Sequence, residues 1–119
     1  MHNGPYFFSS EGEHGFRQAF YALPRHCNSL GIVHGGMLAT FVDGVLATAV
    51  WRKGGATSVT IQLSLNYLSM ARAGDWVIGE GWATRQAREL VFVEARLHVG
   101  ERDVLRGSGV FKLMRRKVE

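Results

Sequence analysis

From Met37 to Val50 the bulky residues come in pairs, Met37-Leu38, Phe41-Val42, Val45-Leu46 and Ala49-Val50, with two smaller or polar residues between successive pairs. This spacing predicts a helix from about Gly35 to Trp51 with one wide apolar stripe. A second face carries Gly36, Thr40, Asp43 and Ala47. At 100° per residue these four fall within about 60° of one another, roughly opposite the stripe. All but Asp43 are small or short. Such a helix can be covered on both sides, by a sheet on the bulky face and by a close neighbour or ligand on the small one. Thr40 and the valines are mediocre helix formers, so tertiary packing must hold this segment. Gly54-Gly55 supplies a stop.

The pattern around the helix changes to a period of two. Gly15 to Leu23 is rich in bulky residues and ends at Pro24, which predicts a strand, with a loop over 25–31. Over Ala56 to Met70, Val59, Ile61, Leu63, Leu65 and Tyr67 alternate with Ser58, Thr60, Gln62, Ser64 and Asn66, which predicts a strand with one buried face. Further strands are expected over Trp76–Arg85, Leu90–Val99 and Val104–Met114, with turns at 71–75, 86–89 and 100–103. Gly79 and Gly81 suggest a bend or bulge in the first of these. Residues 1–14 read as a loosely ordered segment, with room for a short turn of helix. The expected order is strand, one long helix, then four antiparallel strands in a meander. One helix cannot cover both faces of a sheet, so the natural solution is a sheet wrapped around it, an α+β domain spanning residues 1–119.

Composition narrows the class. With 119 residues, 46% hydrophobic and 20% charged, the chain suits one globular domain. There are no repeats, linkers or low-complexity segments. No apolar run approaches 18 residues, so no membrane span is expected, and the N-terminus shows no secretory signal pattern. A single cysteine, Cys27, excludes an intrachain disulfide and suits a reducing, cytoplasmic setting. A catalytic thiol is the weaker reading of Cys27, since free cysteines are commonly small buried hydrophobes. The net charge of +4 is modest. It helps gather an anionic ligand, but the basic residues are scattered, apart from the Met114-Arg115-Arg116-Lys117 end, which argues against nucleic acid.

The chemistry gathers at the start of the helix. Gly35 and Gly36 stand where backbone N–H groups lack helical partners and the dipole is positive. Without side chains they let a ligand oxygen approach closely, as in an oxyanion site. Asp43 lies about 12 Å further along by helical rise. One small reacting centre cannot touch both groups within one chain. A two-fold dimer that lays a second helix alongside would let Gly35 of one chain meet Asp43 of the other across the small face. Asp43 could then activate water or attack a carbonyl polarised by Gly35 N–H. Plainer roles exist for each group. Asp43 could be a solvated helix residue, His34 could brace its loop, Asn28 could cap a turn, and Thr60 could be an ordinary strand threonine. No spacing of Asp43 with His34, His26 or His14 suggests a metal.

The string Asn28-x-x-Gly31-x-x-His34-Gly35-Gly36 followed by Asp43 resembles the PaaI-like branch of the hotdog-fold acyl-CoA thioesterases. The resemblance covers nearly the whole chain and includes Asn66-Tyr67-Leu68, the Ala73-Gly74-Asp75 turn and Arg85-x-x-Arg88-x-Leu90-x-Phe92-Val93-Glu94. It implies a hotdog fold and hydrolysis of an acyl-CoA thioester with no metal or redox cofactor, coenzyme A being part of the substrate. It implies that Gly35 N–H polarises the carbonyl, that Asp43 is nucleophile or general base, that Asn28 orients water or thioester, and that His34 helps hold the carbonyl or its loop. A hydroxyl on the strand after the helix should face the acid, with Thr60 the best match and Ser58 the second. Substrate contacts are expected from Gly36, Phe41, Tyr67, Arg85 and Arg88. Similar sequences often carry glycine where this chain has Ala87. The resemblance also favours a dimer of dimers. Competing activities are a hotdog hydratase or dehydratase using His34 and Asp43, and an acyl-CoA-binding module without turnover.

Overall fold

A computed structural model describes residues 6–114. The paired apolar residues do form one helix, α1 (Gly35–Gly54), which runs three residues past Trp51. Its buried residues are the eight members of the four pairs. The stop lies at Gly55, whose φ of 68° suits glycine and whose N–H donates to Trp51 O at 2.7 Å. Arg52 and Lys53 occupy the last turn, where cations oppose the negative end of the helix dipole.

Six strands surround it: β1 (Phe7–Ser9), β2 (Arg17–Tyr21), β3 (Ser58–Tyr67), β4 (Trp76–Ala87), β5 (Leu90–Val99) and β6 (Arg102–Leu113). A short 3-10 turn, Pro24–His26, follows β2. All pairings are antiparallel and the spatial order is β1-β2-β4-β5-β6-β3. Two expectations need correction. The last four strands are not a simple meander: β4, β5 and β6 are, but β3 crosses to pair with β6 at the far edge. The N-terminal segment is not uniformly loose, because Phe7–Ser9 pairs with Ser9↔Arg17 to Phe7↔Ala19 register as the opposite edge strand. Residues 1–5 and the basic Arg115–Lys117 end lie outside the described residues.

The strict alternation expected of β3 is also broken. Thr60 pairs with Phe111, but the next pair is Gln62↔Val110, so Ile61 is an extra residue in the ladder. Such a bulge reverses which face later residues occupy. Ser58 and Thr60 therefore share the helix-side face with Leu63, Leu65 and Tyr67, as their partners Leu113, Phe111, Gly109, Gly107 and Leu105 show. The buried face predicted for β3 is not buried within the chain either: Val59, Ile61, Leu63 and Tyr67 are all exposed, Val59 because it faces away from the helix, Ile61 because it stands out at the bulge, and Leu63 and Tyr67 because α1 covers this edge strand little.

Gly79 and Gly81 serve a different purpose from the expected bend. The β4–β5 ladder stays in register through both and shifts only between Ala83 and Arg85. A Cβ on Gly79 would lie 2.7 Å from Val45 Cγ2, 3.0 Å from Leu97 Cδ2 and 3.1 Å from Phe41 Cε2. A Cβ on Gly81 would meet Val45 at 3.1 Å and its carbonyl oxygen at 3.2 Å. The glycines let α1 settle directly onto the sheet backbone. The core around them joins the helix stripe to Phe16, Phe20, Val77, Val91, Val93, Ala95, Leu97, Leu105 and Phe111. Gly79→Ala should therefore destabilise the protein by about 1–3 kcal/mol through overpacking, measured as a lower urea midpoint with unchanged m-value.

Candidate active site

Asp43 is half-buried on the small face of α1, and one partner reaches it from the sheet: Thr60 Oγ1 donates to Asp43 Oδ1 at 3.2 Å. The Ile61 bulge makes this possible by keeping Thr60 on the helix side. Thr40, one turn earlier, spends its hydroxyl on Gly36 O at 2.9 Å and does not compete for the acid. Around Asp43 the face is open: a Cβ added at Gly36 or Gly44 would meet nothing within 4 Å. Ser58 lies on the same side of β3 as Thr60.

The helix start is uncapped by side chains. His34 is the N-cap residue, and its imidazole makes no capping bond. Its carbonyl accepts from Met37 N–H at 3.0 Å and Leu38 N–H at 3.2 Å. Gly35 N–H and Gly36 N–H are left without an acceptor among the described residues. Two outward amides on bare glycines, at the positive end of a helix of 20 residues, form a ready site for an oxyanion. His34 itself is exposed, held by its own N–H donating to His26 O at 2.9 Å. Beneath it His26 is buried, its Nδ1 accepting from Leu23 N–H at 3.0 Å.

Asn28 serves its loop with one end of its amide. Its Oδ1 accepts from Leu30 N–H at 2.9 Å and Ile32 N–H at 3.1 Å, in a turn where Gly31 takes a φ of 77°. Both lone-pair directions of the oxygen are thus engaged, while its NH2 remains a donor on an exposed residue. The loop is fixed at its base by pairing of Cys27 with Val33.

The remaining candidates divide by location. Tyr67, at the end of β3, donates its hydroxyl to Gly35 O at 2.9 Å. The alternation of β3 puts Tyr67 on the helix-facing side but gives no sign that its hydroxyl reaches the helix start. Phe41 is fully buried against Phe20, with centroids 4.8 Å apart, and belongs to the core side of α1 rather than the Asp43 side. Arg85 and Arg88 are exposed on the β4–β5 hairpin; Arg85 lies 5.8 Å over the Phe92 ring. Arg88, not Ala87, takes the left-handed turn conformation, with φ of 58°.

A cavity of about 640 Å³ lies elsewhere, on the outer sheet face between Glu80, Trp82, Arg96, Asp103 and Arg106. None of Asn28, His34, Gly35, Asp43 or Thr60 borders it. Within it Arg96 pairs with Asp103 and Glu80, and Arg106 with Asp103, while Glu13, His14 and Glu101 complete the lining. Volume is here a poor guide to chemistry. No group of three or more His, Cys, Asp or Glu side chains suited to a metal occurs among the described residues.

A six-stranded antiparallel sheet laid in this order against one long helix is the hotdog fold. A family model, the thioesterase superfamily, matches residues 30–105, a span that holds His34, Gly35, Asp43, Thr60 and Tyr67 and begins just after Asn28. The chain belongs to the thioesterase superfamily and is a thioester hydrolase. It is 37% identical over 112 residues to "Putative esterase PA0474" of Pseudomonas aeruginosa, covering 92% of this chain and 84% of that one. It is 31% identical over 74 residues to mouse acyl-coenzyme A thioesterase 13, covering 61% of this chain and 53% of that protein. Among solved structures, BH2602 from Bacillus halodurans, crystallised with CoA, aligns with a TM-score of 0.79 at 26% identity, over 90% of this chain and 73% of that one. The likeness to the PaaI-like branch fits these relatives. No helix among the described residues is long and apolar enough to cross a membrane.

Cys27 lies beside this site but is poorly suited to act in it. Burial pushes its thiol pKa up, and Sγ donates to Leu23 O at 3.4 Å. A raised pKa leaves little thiolate at neutral pH. At pH 7.5, iodoacetamide should alkylate Cys27 several-fold more slowly in the folded protein than in urea, followed by intact-mass spectrometry.

Proposed function

We propose that the protein hydrolyses an acyl-CoA thioester to the free acid and CoA, using Gly35 N–H from one subunit and Asp43 from its mate. The observation that carries this reading is the Thr60–Asp43 hydrogen bond on an open helix face. It engages one carboxylate oxygen and leaves the other available to a water or a carbonyl carbon. As general base, Asp43 would take a proton from water while the hydroxide adds to the thioester carbon. As nucleophile, it would form an acyl-enzyme anhydride that water then cleaves. In both routes the carbonyl oxygen gains charge, which the Gly35 amide stabilises, and the CoA thiolate leaves and is protonated. In this reading the Asn28 NH2 orients water or the thioester, and the exposed His34 imidazole supports the carbonyl. No metal or redox cofactor enters this scheme.

The split between subunits follows from distance. Gly35 and Asp43 of one chain are eight residues apart on one helix, about 12 Å of rise. The open small face and the unpaired edge of β3, with Val59 44%, Ile61 57% and Leu63 37% exposed, suit a second copy. We take a dimer as the minimum and a dimer of dimers as the full assembly, in the cytoplasm. Exposed Leu68 and Met70 would meet the acyl group, and Arg85 and Arg88 are candidates for CoA phosphates.

The test is free-thiol release from a panel of aryl- and fatty acyl-CoA esters. Asp43→Asn should cost at least ~100-fold in kcat with an unchanged circular dichroism spectrum; unchanged turnover would remove Asp43 from the reaction. Gly35→Ala should lower kcat more than it raises KM. The nearest atoms to its added methyl are those of Tyr67, at 3.6–3.7 Å, an ordinary contact distance, so the fold should tolerate it. Light scattering should find all activity in dimers or larger species, and an active monomer would contradict the split site.

A further inference from the structure

We propose that Tyr67 is a positioning residue for the amide donors at the start of α1. This inference rests on the hydrolase reading and adds a part that neither the motif nor the family match assigns.

The start of α1 faces a difficulty of its own making. Two successive glycines give a ligand close access to their N–H groups, but glycine has the most backbone freedom to lose on ordering. The N-cap residue His34 offers no side-chain bond to steady them. An oxyanion donor works only if it is already aimed, so this freedom costs rate unless something outside the helix removes it.

Tyr67 meets that need. Its hydroxyl donates to Gly35 O at 2.9 Å across 32 residues of sequence. Its ring lies 3.6–3.7 Å from where a Gly35 Cβ would be, so it also packs against the side of the bare residue. The bond acts on one peptide unit. Gly35 O and Gly36 N–H belong to the same amide, and a hydrogen bond to the oxygen makes the N–H a stronger donor. The neighbouring His34–Gly35 amide is treated alike, since His34 O accepts from both Met37 and Leu38 N–H. Each of the two free amides thus has its carbonyl end held, one by the helix itself and the other by Tyr67. The same strand that carries Thr60 to Asp43 therefore carries Tyr67 to Gly35.

Tyr67→Phe keeps the ring and deletes the donor. With the full-length protein, kcat should fall roughly 3- to 10-fold, the scale of one lost hydrogen bond. The factor should be similar for every acyl-CoA in the panel, with KM changed by less than about 2-fold. A pocket wall would behave differently, with losses that depend on acyl size and appear in KM; that pattern, or an unchanged kcat, overturns the proposal. Placing 4-aminophenylalanine at position 67 restores an N–H donor and should recover kcat, whereas 4-methoxyphenylalanine should not. Failure of this rescue in folded protein also overturns it. A second readout needs no turnover: in 15N-glycine-labelled protein, the Gly36 amide resonance should move in Tyr67→Phe, because its peptide oxygen loses the Tyr67 donor. Unmoved Gly35 and Gly36 signals would refute the anchoring even if the enzyme proved active. If the wild type hydrolyses no member of the panel, the hydrolase reading fails, and the glycine spectra still decide whether Tyr67 holds the helix start.

Discussion

The structure depends on how closely one helix can approach one sheet. Gly79 and Gly81 remove the side chains that would hold α1 away, and Val45 and Phe41 fill the space. All four bulky pairs of the helix are consumed by that contact. The hydrophobic effect thus fixes the helix by its heavier face, at roughly 25 cal/mol per Å² of apolar surface removed from water. The lighter face is left over. Asp43 can keep an exposed oxygen there because nothing of the chain's own core needs that side.

The second constraint is β3, which grips the helix at two places. Thr60 holds Asp43 and Tyr67 holds Gly35, so the acid and the amide donors are referenced to the same strand. An isolated helix frays at its ends. Here the end that matters is tied to a ladder whose other side is hydrogen-bonded to β6 along its length. Access and rigidity, which oppose each other wherever glycines expose backbone, are reconciled by a contact from outside the helix.

Much of this could be read from residue order alone. The four pairs determine the helix and its buried face, and the Gly54-Gly55 stop coincides with its end, three residues past Trp51. The Asn28, His34-Gly35-Gly36 and Asp43 spacing pointed to the helix start, and the structure does leave those amides unengaged. Pairing order was not legible, because alternation says which face a residue takes but not which strand it lies beside, and β3 lies beside β6. The role of Gly79 is not legible in the sequence, because close approach and bending call for the same residue. The polar phase of β3 singles out Thr60, yet that residue faces Asp43 only because the ladder slips at Ile61. Phe7–Ser9 escaped notice because three residues at an edge carry too little pattern.

That slip gives β3 a vernier. Upstream of Ile61 the strand is set by one count and downstream by another, and the two functional side chains stand on either side of the change. Their shared orientation is therefore written in the number of residues between them rather than in what those residues are. Chemical substitutions inside the interval can be absorbed, while a lone insertion or deletion would swing either the hydroxyl of Thr60 or the phenol of Tyr67 to the far side of the sheet. Length, along this stretch, is the inherited information.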